Sequence, residues 1–207
     1  EGDVFLGVIV PVQRKVAKRF QYLALRECET LLHSPVHEHR LTALLICCLR
    51  FPKGQPEERK AIVDFYLRNT QRINNWDLVD LSAPNLLGQW LLTQSKQHRS
   101  ILYERAKSSL LWDRRIAIVA THAFIRAGQC QDTIAIAEML LEDKHDLMHK
   151  AVGWMLREAG KRDMRVLTSF LDKHATVMPR TMLRYAIERL SESERKRYMR
   201  VKGVSKR

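Results

Sequence analysis

The sequence has few cysteines, and none lies in a spacing typical of a disulfide or a structural metal. Its 207 residues contain four: Cys28, Cys47, Cys48 and Cys130. An adjacent pair on an apolar helix does not easily close a disulfide, and no C-x-x-C spacing occurs. His37 and His39 lie close together in the sequence but lack a completed ligand set. We therefore expect reduced thiols in the core, no metal ion and no cofactor.

Long hydrophobic runs are also missing. No apolar stretch approaches the roughly 18 residues that a membrane span needs. The opening segment, EGDVFLGVIVPVQRK, has an acidic start and no small-residue cleavage site, so it does not resemble a signal peptide. With 45% hydrophobic and 29% charged residues, the composition predicts a folded cytoplasmic protein without a membrane partner.

Acidic residues are outnumbered by basic ones. The formal net charge is +13 and the pI is near 9.9. From Lys144 onward the chain has 17 Lys or Arg against 7 Asp or Glu, so this segment carries +10 of the total. Such a basic surface favours a polyanionic partner, nucleic acid before membrane, although a contribution to solubility alone also accounts for it.

Strand-like alternation is absent, and helical periodicity is found almost everywhere. Helices are predicted over about 11–32, from Ser34-Pro35 to Phe51-Pro52, and from Pro56 to Asn69. A further helix starts at an N-cap, Asn74 or Asn75, breaks at Ser82-Ala83-Pro84 and restarts towards Leu92. The remaining predicted helices lie at about 98–108, 112–127, 132–141, 145–159, 163–173, 179–190 and 192–201.

Short helices joined by brief loops predict an all-α fold. We expect a curved solenoid (α-α superhelix) of HEAT-like helix-pair repeats, in a single domain over 1–207. The segments HRLTALLICCLR, RRIAIVATHAFIR and HKAVGWMLREAG each begin with a basic pair and continue into an apolar face. Trp76, Arg115 and Trp154 are each separated by 39 residues, which is within the HEAT-like period. Equivalent positions of such an array share one face, so these three are candidates for a concave surface.

Four residues stand out as candidates for chemistry. Trp76 and Asp80, at the two ends of the pentapeptide WDLVD, project from the same face of a helix. The alternative is a buried tryptophan and an acid that favours the helix dipole. For Arg115, in the segment WDRR, the alternative is a surface ion pair beside a core tryptophan. Gly153, next to Trp154, permits close approach by either a neighbouring helix or a ligand.

Together these residue types suit cleavage of an N-glycosidic bond. The reaction develops an oxocarbenium-like cation on the sugar, which a nearby carboxylate stabilises while it orients water. Flat aromatic faces add cation–π attraction, and an arginine holds a phosphate bidentately. A purine alkylated at N3 or N7 already carries a positive charge and needs no general acid to leave. No lysine lies beside these residues in sequence, so a Schiff-base mechanism is not indicated.

The ordered motifs FLGVIVP-x-x-RK, NNWDLVD, W-x-RR-x-A, KAVGWMLREAGK and MPRTMLRYAIE cover nearly the whole chain. In this order they resemble DNA alkylation repair glycosylases of the AlkD type. The resemblance implies a concave basic face for duplex DNA and excision of 3-methyladenine or 7-methylguanine, which leaves an abasic site. It also implies that the damaged base is not extruded into a pocket.

The resemblance assigns roles to individual residues. Asp80 matches the family's catalytic carboxylate, Trp76 and Trp154 match the aromatics against the lesion's sugar and backbone, and Arg115 matches the arginine that grips the phosphate. Asp77 we interpret as structural. Other basic residues are candidate sequence-independent phosphate contacts, since a repair enzyme accepts any flanking sequence; these are Arg40, Arg114, Lys150, Arg157, Lys161 and Arg184.

Two features depart from the family pattern. The family has a further helix or two before FLGV, whereas only four residues precede that motif here. Ile9 stands where some relatives have a polar residue, so a hydrogen bond to DNA from that position is not expected. Residues 202–207 are interpreted as a flexible tail with nonspecific affinity for phosphate.

Two alternatives to a glycosylase stay open. One is a non-catalytic solenoid that binds damaged or branched DNA, and the presence of Asp80 argues against it. The other is a helical scaffold for protein partners, which would require a neutral or mixed concave face. The favoured interpretation is a monomeric, cytoplasmic, nucleoid-associated enzyme of base excision repair.

Overall fold

The fold is all-α in the part of the chain that the structure, a computed structural model, describes, residues 2–200. This confirms the predicted fold class. No strand occurs in this range, and its only β-type pairing is an isolated parallel bridge between Val4 and Val36. No helix in the range is long and apolar enough to cross a membrane. The predicted tail at 202–207 lies outside the described residues.

Contacts divide the chain into two compact units, which we describe separately as the N-terminal unit (residues 2–95) and the C-terminal unit (residues 96–200). The α-helices of the N-terminal unit are α1 (Val10–Arg19), α2 (Leu25–Leu32), α3 (His37–Arg50), α4 (Pro56–Arg68), α5 (Trp76–Ala83) and α6 (Gln89–Thr93). Short 3-10 turns at Phe51–Lys53 and Thr70–Arg72 and a π-helical turn at Pro84–Gly88 connect them.

In the N-terminal unit, α3 is the central helix. It packs against α1, α2 and α5. Its middle segment, LTALLICC, is apolar nearly all round, and Leu41 and the residues from Ala43 to Cys47 are buried. A helix without a polar face has to be covered on several sides, so this composition explains why α3 lies inside the unit.

The C-terminal unit begins with a 3-10 turn at Lys96–Arg99. Its α-helices are α7 (Ser100–Ala106), α8 (Leu111–Ala120), α9 (His122–Arg126), α10 (Gln131–Met139), α11 (Asp146–Arg162), α12 (Met164–His174), α13 (Arg180–Ile187) and α14 (Glu192–Arg200). The central helix is α11, which packs against α8, α12 and α13.

Most predicted helices are confirmed, but two of them are each divided into two. The predicted helix over 11–32 ends at Arg19 and restarts at Leu25, where the Glu27 carboxylate accepts the N–H of Ala24 at 2.9 Å and caps the new start. The predicted helix over 112–127 is interrupted at Thr121. The hydroxyl of Thr121 donates to the carbonyl of Ile118 at 2.6 Å and so competes with the regular backbone bonds.

Candidate functional site

The helix α5 presents Trp76 and Asp80 on one face of the N-terminal unit. Asn75 has an extended backbone, and its side-chain oxygen accepts the N–H of Trp76 at 2.7 Å, so the helix begins at the tryptophan. Trp76 is 54% exposed and Asp80 is half-buried, while Leu78 and Val79 between them are fully buried. The alternative interpretation of Trp76 as a core residue is therefore wrong.

The end of α5 is shaped by Pro84, four residues after Asp80. Because proline has no backbone N–H, it cannot form the regular i to i−4 bond, and the helix widens into the π turn Pro84–Gly88. The side chain of Asn85 donates to the carbonyl of Leu81 at 2.7 Å, which supports the widened turn. The sequence analysis predicted a break here; the chain instead stays helical into α6.

A buried polar cluster behind the start of α5 was not found by sequence reasoning. His37 and Arg40, on the first turn of α3, are each only 4% exposed. The Nε2 atom of His37 lies 2.7 Å from Oδ2 of Asp77, and Arg40 donates to the side-chain oxygen of Asn74. Asp3 completes the cluster, with Oδ1 2.5 Å from Nη2 of Arg40. The only sequence signal was the density of polar residues at both helix starts.

In the C-terminal unit, the adjacent arginines of α8 both hold the chain that leads into α11. Arg115 is 4% exposed, and its Nη1 donates to the carbonyl of Leu147 at 2.5 Å. Arg114 donates through Nε to Asp143 at 2.6 Å and through Nη1 to the carbonyl of Ser108 at 2.9 Å. Both guanidinium groups are thereby held where α8 meets the first turn of α11.

Trp154, on α11, is half-buried against His122 at the start of α9. Their ring centroids are 5.6 Å apart, and the ring planes are inclined by 54°. Burial lowers the pKa of His122 from its ordinary value of 6.5, and the cations Arg126 and Lys161 lower it further. At pH 7 the histidine ring that packs against the indole is therefore predominantly neutral.

The sequence left open whether Gly153 accommodates a neighbouring helix or a ligand. A Cβ atom at this position would lie in hard contact with the carbonyl oxygen of Met182 and 2.5 Å from the Cβ of Tyr185, both on α13. The close approach is thus made by a neighbouring helix and not by a ligand. Trp154 follows directly in sequence, and its ring packs on His122 of α9.

The other predicted phosphate contacts differ in how their charges are compensated. Arg40 is buried in the cluster behind α5. Lys150 pairs with Asp146 at 2.7 Å, Lys161 pairs with Glu158 at 2.7 Å, and Arg157 pairs with Glu188. Arg184 is exposed and makes no ion pair within residues 2–200. No observation tests whether any of them touches phosphate, so these assignments stay predictions.

The candidate residues are divided between the units as two pairs. Trp76 and Asp80 lie one turn apart on α5, and Arg115 and Trp154 lie on α8 and α11, which pack against each other. Their equal spacing does not give a common place in a helix, since Trp76 is the first residue of α5, Arg115 the fifth of α8 and Trp154 the ninth of α11. Convergence of the two pairs on one basic groove stays a prediction.

Two solved structures share the fold of this chain. A predicted DNA alkylation repair enzyme from Enterococcus faecalis has a TM-score of 0.74 and 17% sequence identity, with 92% of this chain and 90% of that chain covered. AlkD2 from Streptococcus mutans has a TM-score of 0.65 and 18% identity, with 90% and 92% covered. At these identities the likeness shows the fold alone.

The family is shown by a sequence model. The model described as DNA alkylation repair enzyme matches residues 1–190. The chain therefore belongs to the DNA alkylation repair enzyme family, as the motif resemblance predicted, and its role lies in the repair of alkylated DNA. A comparison with curated proteins found no match.

Proposed function

We propose that this protein is a monofunctional DNA glycosylase that hydrolyses the N-glycosidic bond of cationic N3- or N7-alkylated purines in duplex DNA. Membership in the alkylation repair family supports the lesion class. The observation that carries the proposal is the exposed indole of Trp76, one helical turn from the half-buried carboxylate of Asp80. An exposed tryptophan contributes little to the core. Beside a carboxylate, its π face is suited to binding a cationic sugar.

The proposed reaction begins with heterolysis of the bond between C1′ and the purine nitrogen. The bonding electrons go to the base, which leaves as a neutral alkylpurine because it was cationic before cleavage. The Asp80 carboxylate stabilises the positive charge that develops on the deoxyribose. Water then adds to C1′ and loses a proton to the carboxylate or to solvent, which leaves an abasic site.

The remaining candidates act on the sugar and the backbone. Trp76 and Trp154 would cover the sugar with π faces, exclude solvent and favour the cation. Arg115 would hold the adjacent phosphate, and its attachment to the Leu147 carbonyl supports this role because it orients the guanidinium. Exposed Arg184, together with Lys150, Arg157 and Lys161 on α11, would add phosphate contacts that are independent of sequence.

The proposal is tested by incubating the protein with duplex DNA that contains 7-methylguanine, at low salt, and measuring release of the free base. We expect release by the wild type and a loss of about 10²- to 10³-fold in single-turnover rate for Asp80→Asn, with DNA binding retained. Asp64→Asn is the matched control, since Asp64 is an exposed carboxylate of the same unit that pairs with Lys60. Its rate should equal that of the wild type.

Low salt matters because phosphate contacts weaken steeply as ionic strength rises. Binding of the DNA without base release by the wild type would reject the glycosylase proposal. It would favour the non-catalytic binder of damaged or branched DNA, which a comparison of affinities for linear, methylated and four-way-branched duplexes would then identify.

A further inference from the structure

The four residues that lead into and begin α5, Asn74 to Asp77, are held by hydrogen bonds from outside their own helix. Asp77 bonds His37, and Asn74 accepts from Arg40. The side-chain nitrogen of Asn75 donates to Oδ2 of Asp3 at 3.3 Å. Three of four consecutive side chains are thus anchored, and the fourth, Trp76, is the exposed one.

The anchoring groups make further contacts of their own, although Nδ1 of His37 has no hydrogen-bond partner within residues 2–200. His37 lies between two carboxylates, with Nδ1 3.6 Å from Asp3 and Nε2 2.7 Å from Asp77, and the ring of Phe5 packs on it at 4.9 Å. Arg40 joins Asn74 to Asp3. Burial raises the pKa of Asp3, but the hydrogen bonds from Arg40 and Asn75 outweigh it and lower the pKa below its ordinary value of 3.8.

Glu38 closes the cluster by holding the N-terminal segment that carries Asp3 and Phe5. Its buried carboxylate accepts the N–H groups of Leu6 at 3.0 Å, Gly7 at 2.8 Å and Val8 at 3.2 Å. Three successive N–H groups face one carboxylate because Gly7 adopts a φ of 77°, in the left-handed region that favours glycine. This segment is thereby tied to the first turn of α3.

The cluster is better suited to fixing geometry than to adding stability. Buried ion pairs gain little over well-packed apolar side chains, because the desolvation of both charges offsets their attraction. Apolar contacts, however, tolerate small rotations of a helix, whereas hydrogen bonds depend on direction. A rotation of α5 would move Trp76 and Asp80 together, since both project from the same face.

We propose that His37 and Arg40 are positioning residues that, through Asp77 and Asn74, fix the rotation of α5 and so the placement of Trp76 and Asp80. Both are buried, each only 4% exposed, which favours a role through α5 over direct contact with phosphate. The inference concerns how the catalytic face is held and rests on the proposed function for its consequence in catalysis. The claim that these residues fix the rotation of α5 does not depend on that function.

The test uses the whole protein labelled with 5-fluorotryptophan. The sequence has four tryptophans, so four ¹⁹F signals are expected, and Trp76→Phe identifies the one from Trp76. His37→Phe keeps an aromatic ring against Phe5 but removes both polar contacts, and Arg40→Met keeps the length of the side chain without the guanidinium. In both variants we expect a shifted or broadened Trp76 signal with unchanged signals from Trp112 and Trp154.

Kinetics supply the second measurement. Because misplacement of reacting groups lowers rate more than affinity, we expect the single-turnover rate on methylated DNA to fall about tenfold or more, with the Kd for DNA changed less than about threefold. His37→Gln retains an N–H donor towards Asp77 and should recover at least half of the lost rate. Asp77→Asn, a change without loss of volume, gives the same test should His37→Phe fail to fold.

The matched control is Arg50→Met. Arg50 lies on the same helix as His37 and Arg40, and it also makes a part-buried ion pair, to Glu58 at 2.7 Å, and a bond to the carbonyl of Leu23. Neither of these two partners lies on α5. We expect this variant to lose stability while the Trp76 signal and the rate stay those of the wild type.

Unaltered Trp76 signals in folded His37→Phe, Arg40→Met and Asp77→Asn would overturn the inference, as would an equal shift of that signal in Arg50→Met. These outcomes are independent of the glycosylase proposal. A wild type that releases no base, but whose Trp76 signal responds to His37 and Arg40 and not to Arg50, would reject the proposed function and support the positioning role.

Discussion

The two units hold their candidate residues by different physical means. In the N-terminal unit, α5 continues through the π turn into α6, and buried polar side chains from α3 and from the segment before α1 hold its first turn. In the C-terminal unit, α11 has 17 residues and is held by packing on α8, α12 and α13, with the backbone of α13 in contact at Gly153. The first means depends on the direction of hydrogen bonds at one end of a helix, whereas the second depends on shape complementarity along the helix.

This contrast predicts that the C-terminal unit is the more sensitive to added volume. In Gly153→Ala the new methyl group would meet the carbonyl of Met182, which is backbone and has no room to move away. We expect a loss of about 2–3 kcal/mol in the free energy of unfolding, measured by urea denaturation. The matched change in the N-terminal unit is Gly54→Ala, whose methyl group has its three nearest neighbours in the side chain of Glu58, at 3.0 to 3.3 Å, and not in a backbone. It should change stability by less than about 0.5 kcal/mol. Equal losses in the two variants would contradict the contrast.

The N-terminal unit should be more sensitive to loss of a charge. Glu38→Gln replaces the carboxylate that accepts three backbone N–H groups, and we expect it to cost about 1–3 kcal/mol. Glu27→Gln is the control, because Glu27 accepts one N–H at an exposed helix start, and its loss should be below about 1 kcal/mol.

The pH dependence of the Glu38 effect follows from its pKa. Burial raises the pKa of Glu38, but the N–H groups of Leu6, Gly7 and Val8 together lower it below its ordinary value of 4.5. The unfolded chain therefore takes up the proton first as pH falls. The stabilisation is complete above pH 4.5 and is lost as pH falls through the lowered pKa, so the stability difference between wild type and Glu38→Gln should shrink with acidification. A difference that does not change with pH would show that charge is not what Glu38 contributes.

The smallest expected effect concerns His122 beside Trp154. Its pKa is lowered mainly by burial, with Arg126 and Lys161 adding to the shift and Glu158 opposing it. The unfolded state therefore binds the proton more readily, and stability should decrease as pH falls from 6.5 towards the lowered pKa and level off below it. An NMR titration of the histidine ring should give a midpoint below 6.5, and His122→Gln should remove this part of the pH dependence. A midpoint at or above 6.5 would show that the ring is not desolvated against Trp154.

Helical periodicity predicted most of the secondary structure because α-helices depend on local sequence. Asn75 as an N-cap, Pro56 as a first helical residue and the apolar run of α3 were all visible in the sequence. The prediction failed where side chains compete with the backbone. Thr121 interrupts a helix through its hydroxyl, and Pro84 widens a helix that had been expected to break. In each case one hydrogen bond makes the difference, since the Thr121 hydroxyl forms an additional bond and Pro84 lacks the N–H for a regular one. Hydrophobic periodicity does not detect such bonds.

Of the candidate site, the sequence predicted that Trp76 and Asp80 share a face, since residues four apart on a helix always do. The family resemblance, confirmed over residues 1–190, supplied the lesion class that remains a proposal. Spacing did not predict how Arg115 is bound, because its partner Leu147 lies on another helix. Nor did it show which neighbour Gly153 accommodates, since that contact joins residues 29 and 32 positions apart.

The sequence by itself determined the all-α class, the repair family and the placement of a carboxylate and an indole on one face of a helix, because each follows from local pattern or from ordered motifs. Only the tertiary structure decided that His37, Arg40 and Asp3 meet the start of α5. Those contacts join residues 34 to 72 positions apart, and such pairings depend on how helices pack. The shared face of Trp76 and Asp80 on α5 therefore follows from local sequence. The contacts at the start of α5 come from residues that are distant in sequence, which no spacing rule predicts.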